Sequence, residues 1–376
     1  MRNRVYSFLS VPRILFGPGT RDRIAEEARG LGSRLFVLAS RTMLERGNLR
    51  SILDQLRDRF DRIEVRGSPE GEPTIEYVSR QLESCRLTGC DVVLGIGGGS
   101  VLDAAKAVAG LYHEPASVSE VFHESRTPRK GIRFVAVPTT AGTGSEVTPN
   151  SVLSDPSRQV KQSIRGKSLR ARVVINDPEL TMGAPPWIKA ASGADALVQA
   201  IETFVSRGSN DLTDALALRA FALMARSLAE AVEDKDDLDA HSDMACASMM
   251  AGMAFSNARL GAVHGMAHPL GVRYTIPHGV CCAVLLPGVM RFNEPVVADK
   301  YLQLSTIIGE PLIPWIEGLF ERIGLPRNFA EYEARPSDIP AIAEESLPSG
   351  SLKANPREPT SEDLQRILSE VIPGQG

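Results

Sequence analysis

The amino-acid sequence predicts an α/β domain followed by an all-helical domain. Over residues 1–180, short apolar runs alternate with helical patterns, which favours a Rossmann-like parallel sheet with crossover helices. After Asp177-Pro178 the pattern changes to long helical periodicity, as in the run from Leu212 to Leu228. We therefore place an α/β domain at residues 1–180 and an all-helical domain at residues 181–376.

Five apolar runs are predicted to form the strands of the sheet. Each is rich in valine, leucine, isoleucine or phenylalanine and is short enough to be a buried strand. In chain order, these runs begin at Arg34, Arg62, Asp91, Phe134 and Arg172. A chain of 376 residues is long enough for two domains with a large core.

The composition argues against several classes of protein. A formal net charge of −4 gives no reason to expect a nucleic acid or an anionic membrane as a partner. No apolar run is expected to be long enough for a membrane span, and the N-terminus lacks the apolar stretch of a secretory signal. Five cysteines without a repeated metal-binding spacing fit a reducing cytoplasm, and we predict that the adjacent Cys281 and Cys282 are packing thiols.

A glycine-rich turn follows the third predicted strand. Residues 97–100, Gly-Gly-Gly-Ser, come directly after the apolar run that begins at Asp91, and Val101 then opens a helix. Such a turn presents free N–H groups and the positive end of a helix dipole to an anion, and glycines let the backbone approach a pyrophosphate closely. The turn predicts a phosphate-binding loop, although glycine turns also serve as simple connections.

A loop rich in glycine and hydroxyl side chains follows the next predicted strand. It runs from Thr139 to Thr148 and contains Gly-Thr-Gly-Ser at residues 142–145. Small hydroxyl side chains and bare amides suit a wall around a nicotinamide or a ribose. The same composition also occurs in ordinary loops, but this one follows a second strand at the same sheet edge, which favours the cofactor wall.

Three of the six histidines in the chain, His264, His268 and His278, lie close together in the sequence. The first two are four residues apart, so on a helix they share one face, and the glycine and proline residues that follow can turn the chain back. Imidazole can ligate a metal or move a proton at neutral pH. The cluster therefore predicts a reaction centre, the alternative being histidines that merely pack a helix.

Asp195 and Gln199 form another polar pair at helical spacing, inside an apolar run. A carboxylate on the buried face of a helix is costly unless a cation or a hydrogen-bond network satisfies it. Together with two histidines from other elements, Asp195 would provide donors for Zn²⁺ or Fe²⁺. The alternative is that Asp195 caps a helix or pairs with a neighbouring cation.

Taken in order, these motifs resemble those of the iron-containing (group III) alcohol dehydrogenases. The resemblance rests on GGGSVLDAAK at 97–106, PTTAGTGSEVT at 138–148 and VHGMAHPLG at 263–271 followed by PHG at 277–279, and it extends from residue 12 to residue 360. It implies the two-domain fold that the family shares with dehydroquinate synthase. It also implies an NAD(P)-dependent oxidoreductase acting on CH–OH groups, with a cytoplasmic homodimer as the expected form.

The resemblance implies a metal site with one departure from the family. The family's ligands fall on Asp195, position 199, His264 and His278, and the chain has Gln199 where the family has histidine. An amide oxygen is a weaker donor than imidazole, so affinity for Fe²⁺ or Zn²⁺ is expected to fall, although three good ligands still make a workable catalytic site. The alternative is a branch that has lost its metal, as in the maleylacetate reductases. His268 matches the family histidine near the reacting centre and is the expected proton carrier.

Ser40 and Arg41 follow the first predicted strand, where the family commonly has an acidic residue. An acid there would repel a 2′-phosphate, whereas Ser40 removes the repulsion and Arg41 can pair with the phosphate. NADP(H) is therefore favoured over NAD(H), unless Arg41 is a solvated surface residue. The predicted cofactor contacts are Ser40, Arg41, Gly97, Gly98, Gly99, Ser100, Asp103, Thr139, Thr140, Thr143, Ser145 and Lys161.

The sequence thus predicts an NAD(P)-dependent alcohol dehydrogenase, or an aldehyde or ketone reductase, acting on a small molecule. A divalent metal at Asp195, His264 and His278, aided by Gln199, would polarise the substrate oxygen, with His268 carrying the proton. Since such sites favour clefts between domains, the glycine turn and the Asp/His set are expected to serve one cleft. The alternatives are a metal-independent reductase, a lyase like dehydroquinate synthase, and a nucleotide-binding protein without catalysis, which Gln199 alone favours.

Overall fold

The computed structural model describes residues 5–45, 47, 49–68, 71–158 and 160–374. These residues form two compact units. The first is Ser10–Gly183, and the second comprises residues 184–374 together with residues 5–9. The side chain of Asn257 accepts a hydrogen bond from the Leu9 N–H and donates one to the Leu9 carbonyl. The N-terminal segment therefore groups with the helical unit, which differs from the sequence-based boundaries.

The first unit is built on one parallel sheet with crossover helices. The strands of this unit are β1 Ile14–Phe16, β2 Arg34–Ala39, β3 Arg62–Gly67, β4 Val92–Gly97, β5 Arg133–Pro138, β6 Asn150–Asp155, β7 Val160–Arg165 and β8 Val173–Asn176. Its helices are α1 Ile24–Arg29, α2 Arg41–Glu45, α3 Arg50–Arg57, α4 Ile75–Thr88, α5 Gly99–Gly110, α6 Val118–His123 and α7 Glu179–Met182. Six strands pair in parallel in the order β1-β8-β5-β4-β2-β3.

The predicted parallel α/β fold of the first half is confirmed, since each of the five apolar runs forms a strand of this sheet. Sequence reasoning missed β1, which is only three residues long, and the antiparallel hairpin of β6 and β7. A three-residue strand is too short to show a period. Strand β7 has no apolar run, and its first four residues are all partly buried, so it shows no alternation of buried and exposed positions.

Both faces of the sheet are covered by helices. Alternate strand residues such as Val37, Leu94 and Val135 form one buried cluster with residues of α1 and α3. On the opposite face α5 lies so close to β4 that a Cβ on Gly95 would be 2.8 Å from Ala105 Cβ. Burial on both faces explains why these strands read as continuous apolar runs rather than as alternating ones.

The strand order reverses at the carboxyl ends of β2 and β4. From β2 the chain moves outward to β3, and it then returns to place β4 on the other side of β2. The Ser40 N–H, just after β2, donates to the Ile96 carbonyl of β4 at 2.9 Å. Open parallel sheets bind their ligands in the crevice at such a reversal, because the crossover helices leave in opposite directions there.

The second unit confirms the prediction of an all-helical second half. Within residues 184–374, all of which the structure describes, every regular element is a helix. The α-helices are α8 Pro186–Val205, α9 Asp211–Glu233, α10 Leu238–Ala258, α11 Ala262–Tyr274, α12 His278–Ile308, α13 Leu312–Arg322, α14 Ile339–Ser346 and α15 Ser361–Val371. Polar side chains cap the first turns of two of these helices. Asn210 and Thr213 form a capping box on α9, and Thr360 and Asp363 form one on α15.

The expectation that no apolar run is long enough to span a membrane is wrong for helix α12. Within the described residues it is the one helix long and apolar enough, by length and composition, to cross a membrane. Two thirds of its most apolar window (67%) is buried inside the protein, as in a core helix. The helix is also interrupted at Val297, whose φ of −132° is not helical, two residues after Pro295.

Candidate active site

The glycine turn at residues 97–99 is packed directly against the hydroxyl loop. The Thr139 N–H donates to the Gly97 carbonyl at 3.0 Å. A Cβ on Gly98 would lie 3.3 Å from Thr140 Oγ1, and a Cβ on Gly99 would lie 2.7 Å from Thr143 Cγ2. Gly98 has an extended backbone with a φ of −73°, so glycine is needed here for close approach and not for a left-handed conformation. Six of the predicted cofactor residues are thus adjacent.

Gly98 also begins α5, whose first N–H groups have no side-chain cap. Ser100, in the first turn of that helix, is half-buried. A helix start with free amides next to a glycine turn is a favourable place for a phosphate. The turn lies at the carboxyl end of β4, at the reversal of strand order.

Asp103 and Ser145 bind each other and fix the hydroxyl loop on α5. Ser145 Oγ donates to Asp103 Oδ1 at 2.6 Å, and the Val152 N–H donates to Asp103 Oδ2 at 2.9 Å. The fully buried ammonium of Lys106 donates to the Ser145 carbonyl at 2.8 Å and to Thr148 Oγ1 at 2.9 Å. Burial lowers the pKa of Lys106, against the opposing effect of Asp103. The carboxylate of Asp103 is therefore engaged by the protein itself.

Glu146 lies beside this network, and the sequence analysis did not single it out. Its carboxyl is 3% exposed, and burial raises its pKa to about 7, although its own backbone N–H and Lys106 act in the opposite direction. A buried acid with that pKa gains and loses a proton near neutrality.

The remaining predicted cofactor residues lie at other places in the first unit. Ser40 is half-buried at the end of β2, and Arg41 is exposed, with its side chain beside Gly67 at the end of β3. Lys161 lies on β7 and pairs with Glu72, just before α4. Ser40 and Arg41 therefore stand at the edge where the adenosine end of a dinucleotide is expected, and Lys161 belongs to the hairpin.

In the helical unit, four side chains bring a donor atom into one cluster. Asp195 lies on α8, His264 on α11, and His278 and Cys282 on α12, and their donor atoms all lie within 4.8 Å of one another. His264 Nε2 is 3.1 Å and His278 Nε2 is 3.9 Å from Asp195 Oδ1. Cys282 Sγ is 3.7 Å from His278 Nε2 and 3.9 Å from His264 Nε2. Three of the predicted metal residues are thus together, with a thiol added.

Glycines let the three helices approach closely enough for this cluster. A Cβ on Gly279 would lie 1.9 Å from the Ala191 carbonyl oxygen, so the start of α12 rests on the backbone of α8. A Cβ on Gly261 would lie 2.8 Å from Glu202 Oε1, where the chain enters α11. Any larger residue at these positions would separate the helices that carry the donor atoms.

Glu202, one further turn along α8, holds His264 in place. His264 Nδ1 donates to Glu202 Oε2 at 2.6 Å, and the N–H groups of Gly261 and Val263 also donate to this carboxylate, at 3.0 and 2.7 Å. Because Glu202 accepts from Nδ1, Nε2 is the nitrogen left for the donor cluster. It donates to Asp195 at 3.1 Å while His264 is protonated, and it would offer its lone pair to a metal once that proton leaves. This carboxylate–histidine arrangement is the one that orients an imidazole toward a metal.

The charges in the cluster shift the ionisation of its members. Burial lowers the pKa of His264, but Cys282, Asp195 and Glu202 together outweigh burial and hold that pKa well above its usual range. Burial raises the pKa of the Cys282 thiol to about 11, although His264 acts in the opposite direction. Such a concentration of negative groups around imidazole suits a cation.

His268 stands next to the donor cluster without being part of it. Its ring is stacked on His278, with centroids 5.5 Å apart and an angle of 28° between the planes, while His264 meets His278 edge-on at 5.4 Å. His268 and the side chain of His278 are partly exposed, whereas Asp195 and His264 are buried. His268 therefore lies on the open side of the cluster.

Gln199 lies one helical turn from Asp195 and is 3% exposed. Within the described part of the chain, its Oε1 has no hydrogen-bond partner. Leaving a buried amide oxygen unpaired costs about 1–3 kcal/mol, which a ligand or a water molecule would recover. This unpaired oxygen and the mixed oxygen, nitrogen and sulfur donors fit a divalent transition metal.

Sequence reasoning missed Cys282 and Glu202. Helical spacing could have identified both residues. Cys282 is four residues after His278 on α12, and Glu202 is seven residues after Asp195 on α8, so each shares a helix face with a predicted metal residue. Cys282 was expected to be a packing thiol because an adjacent cysteine has no metal-binding spacing. It is fully buried as that prediction requires, and the structure adds that its sulfur faces two imidazoles of the site.

A parallel α/β unit with a glycine turn at its strand reversal and a helical unit with a buried donor cluster are features of nucleotide-dependent, metal-assisted oxidoreductases. Residues 12–178 match the model of the iron-containing alcohol dehydrogenases, and residues 189–372 match that of the C-terminal part of the Fe-containing alcohol dehydrogenase family. The chain belongs to the iron-containing alcohol dehydrogenase family. It is an oxidoreductase acting on alcohols and aldehydes.

Individual relatives agree with this placement. The chain is 37% identical to a probable alcohol dehydrogenase, EutG, of Salmonella typhimurium, over 96% of this chain and 93% of the relative. A crystal structure of 1,3-propanediol oxidoreductase matches with a TM-score of 0.92 and 32% identity, over 98% of this chain and 100% of the other. Sulfoacetaldehyde reductase from Bifidobacterium kashiwanohense, in complex with NAD⁺, matches with a TM-score of 0.91 and 29% identity, over 98% and 99%.

Proposed function

We propose that this protein transfers hydride between a nicotinamide dinucleotide and a small alcohol or carbonyl compound, with a divalent metal held by Asp195, His264 and His278. The observation that carries the proposal is the donor cluster, which is buried, mixed in donor type and oriented by Glu202. A metal bound there would supply a Lewis acid to the substrate oxygen. The amide of Gln199 is a further candidate donor, given its unpaired oxygen.

His268 is the proposed proton carrier. It is half-buried, stacks on His278 and is not one of the four clustered donors, so its imidazole lies beside the proposed metal position without belonging to it. In alcohol oxidation, the imidazole would accept the hydroxyl proton as hydride leaves the carbon for the nicotinamide. In aldehyde reduction, the same group would return the proton to the oxygen.

The glycine turn and the hydroxyl loop are the proposed dinucleotide site. The free amides at the start of α5 support binding of the pyrophosphate at Gly97, Gly98 and Gly99. Ser40 and Arg41 support NADP(H), because there is no carboxylate at the end of β2 to repel a 2′-phosphate. A structural relative was crystallised with NAD⁺, so both dinucleotides belong in the test.

We propose that the substrate is a small molecule, either a three-carbon diol or a short aldehyde, because the names of two structural relatives indicate such substrates. The cysteine usage favours the cytoplasm, and the formal net charge of −4 gives no reason to expect a nucleic-acid or membrane partner. The homodimer is proposed from the family resemblance. Size measurement in solution tests the dimer directly.

The function is tested by following nicotinamide absorbance with NADH and NADPH against a panel of short alcohols and aldehydes. The protein is stripped of metal with a chelator and reloaded with Zn²⁺ or Fe²⁺, and Asp195→Asn is compared with Asp239→Asn, which changes an exposed carboxylate of α10. We expect activity to need metal and to be lost in Asp195→Asn alone. Full activity of the stripped protein would establish the metal-independent reductase instead, and binding of dinucleotide without turnover on any substrate would favour the degenerate nucleotide-binding protein.

A further inference from the structure

We propose that the thiolate of Cys282 is a ligand of the metal, so that this chain binds it with Asp195, His264, His278 and Cys282. The inference rests on the proposed metal-assisted function and specifies its donor set. The chain has Gln199 on α8 in place of a histidine ligand, and in the proposed set the sulfur of Cys282 on α12 takes the place of that imidazole. Cys282 is fully buried and is a free cysteine.

The distances between the donor atoms match those around one four-coordinate ion. A tetrahedral metal with bonds of about 2.0–2.3 Å separates its ligand atoms by roughly 3.3–3.8 Å. The cluster shows 3.1 Å for His264 Nε2 to Asp195 Oδ1, and 3.9 Å for His278 Nε2 to the same oxygen. The sulfur lies 3.7 and 3.9 Å from the two imidazole nitrogens. The other two pairs of donor atoms lie within 4.8 Å, so shifts of about an ångström or less bring all four onto one ion.

The position of Cys282 on its helix explains why the thiol reaches the site. It lies four residues after His278, so both side chains share one face of the first two turns of α12. Cys281, the preceding residue, is equally buried but lies outside the cluster of donors, because adjacent helical positions differ by about 100°. The two cysteines therefore form a matched pair in which one faces the metal position and the other faces the core.

The donor set also defines where a substrate oxygen can enter. Of the four side chains, that of His278 is 27% exposed, while those of Asp195 and His264 are 5% and 4% exposed and Cys282 is fully buried. A further ligand must therefore approach beside His278, which is the side where His268 is stacked. Zinc sites sometimes expand to five-coordination during the reaction, and a substrate oxygen would join the four protein donors in that way.

A thiolate changes the metal that the site prefers. Sulfur is a soft donor, and soft donors favour Zn²⁺ over harder ions, whereas oxygen and nitrogen donors alone discriminate less. When the ion binds, the S–H bond of Cys282 breaks, the sulfur–metal bond forms and the proton leaves to solvent. We therefore expect this protein to retain Zn²⁺ in preference to Fe²⁺ when both are offered.

The test uses Co²⁺ as a spectroscopic substitute for the native metal in the full-length protein. A thiolate bound to Co²⁺ gives an intense near-ultraviolet charge-transfer band that oxygen and nitrogen donors do not give. We expect the band in the wild type and in Cys281→Ser, and its loss in Cys282→Ser. Gln199→Ala should keep the band, because the sulfur does not depend on the amide. Metal affinity of Cys282→Ser, measured by competition with a chelator, should fall at least about tenfold.

The outcomes separate this inference from the proposed function. A Co²⁺ protein without the band, or with a band that persists in Cys282→Ser and disappears in Cys281→Ser, overturns the thiolate ligand. If such a protein still needs metal for activity, the proposed function stands with another donor set. If the wild type binds no metal and is active, both fail. Thermal unfolding of the metal-free variants, expected to match the wild type within a few degrees, shows that a lost band does not reflect a lost fold.

Discussion

His264 Nδ1 lies 2.6 Å from Glu202 Oε2, and this hydrogen bond determines which nitrogen of the imidazole faces the donor cluster. Because a carboxylate only accepts, Nδ1 carries a hydrogen, and Nε2, which lies 3.1 Å from Asp195 Oδ1, is the nitrogen that would offer its lone pair to a metal. The same carboxylate receives two N–H groups from the start of α11. Glu202 thus couples the fold of the helix start to the orientation of His264, a proposed metal ligand.

Glu202→Gln should weaken metal binding by roughly 10–100-fold. An amide at this position can donate to Nδ1, which would move the hydrogen to Nε2 and remove the lone pair that the metal needs. The measurement is the dissociation constant of Zn²⁺ in competition with a chelator. Glu362→Gln, an exposed change on α15, is the control and should bind like the wild type. Unchanged affinity in Glu202→Gln would show that the tautomer is set by something else.

His268→Ala should lower turnover by about a hundred- to ten-thousandfold while leaving dinucleotide binding unchanged. The reason is loss of the group that exchanges the substrate proton. Turnover is measured across pH, and dinucleotide affinity is measured by fluorescence titration. His113→Ala, at an exposed position of the first unit, should behave as the wild type. A variant with full turnover at every pH would exclude His268 as the proton carrier.

Gly98→Val should weaken NAD(P)H binding, because a Cβ at residue 98 would already lie 3.3 Å from Thr140 Oγ1 and the branched side chain fills the space of the pyrophosphate. A misfit of about 1–3 kcal/mol corresponds to roughly ten- to a hundredfold in the dissociation constant. Calorimetry provides the measurement. Gly183→Ala is the control, since its Cβ would meet open space. Equal affinities would mean that the turn does not carry the phosphates.

Ser40→Asp should shift cofactor preference toward NADH. A carboxylate at the end of β2 would repel the 2′-phosphate of NADPH and would accept hydrogen bonds from the ribose of NADH. Because the position is half-buried and charge effects are screened by salt, a shift of preference is expected and not a complete switch. The ratio of kcat/KM for NADPH and NADH decides the question. A wild type that strongly prefers NADH, with a ratio insensitive to the substitution, would contradict the prediction.

Glu146 should make stability depend on pH. Its pKa is raised in the fold to about 7 by burial, above the value of 4.5 for an exposed glutamate, so its contribution is fully present below about pH 4.5 and is lost as pH rises through 7. Glu146→Gln should remove this loss and gain about 1–3 kcal/mol relative to the wild type between pH 5 and pH 8. Urea unfolding at both pH values measures the change. The exposed Glu83→Gln should show no such gain.

The sequence by itself determined the architecture and most of the chemistry. The apolar runs at Leu35 and Val92 predicted buried strands, which the structure confirms, while the glycine turn predicted a phosphate loop and His264 and His278 predicted a metal or proton site. These signals are local, because each lies within one element or in one turn next to it. Local periodicity and turn chemistry are readable from the order of residues alone.

Only the tertiary structure decided which side chains share the donor cluster. In the sequence, Cys282 looks like a thiol of the core, and it joins the donor cluster only because Gly279 lets α12 pack on α8. Glu202 looks like an ordinary helix acid, and it binds His264 only because Gly261 brings the start of α11 next to it. Donor sets depend on distances between helices that are far apart in sequence, and those distances are fixed by close packing of small residues. The periodicity of the sequence therefore carries no information about these distances between helices.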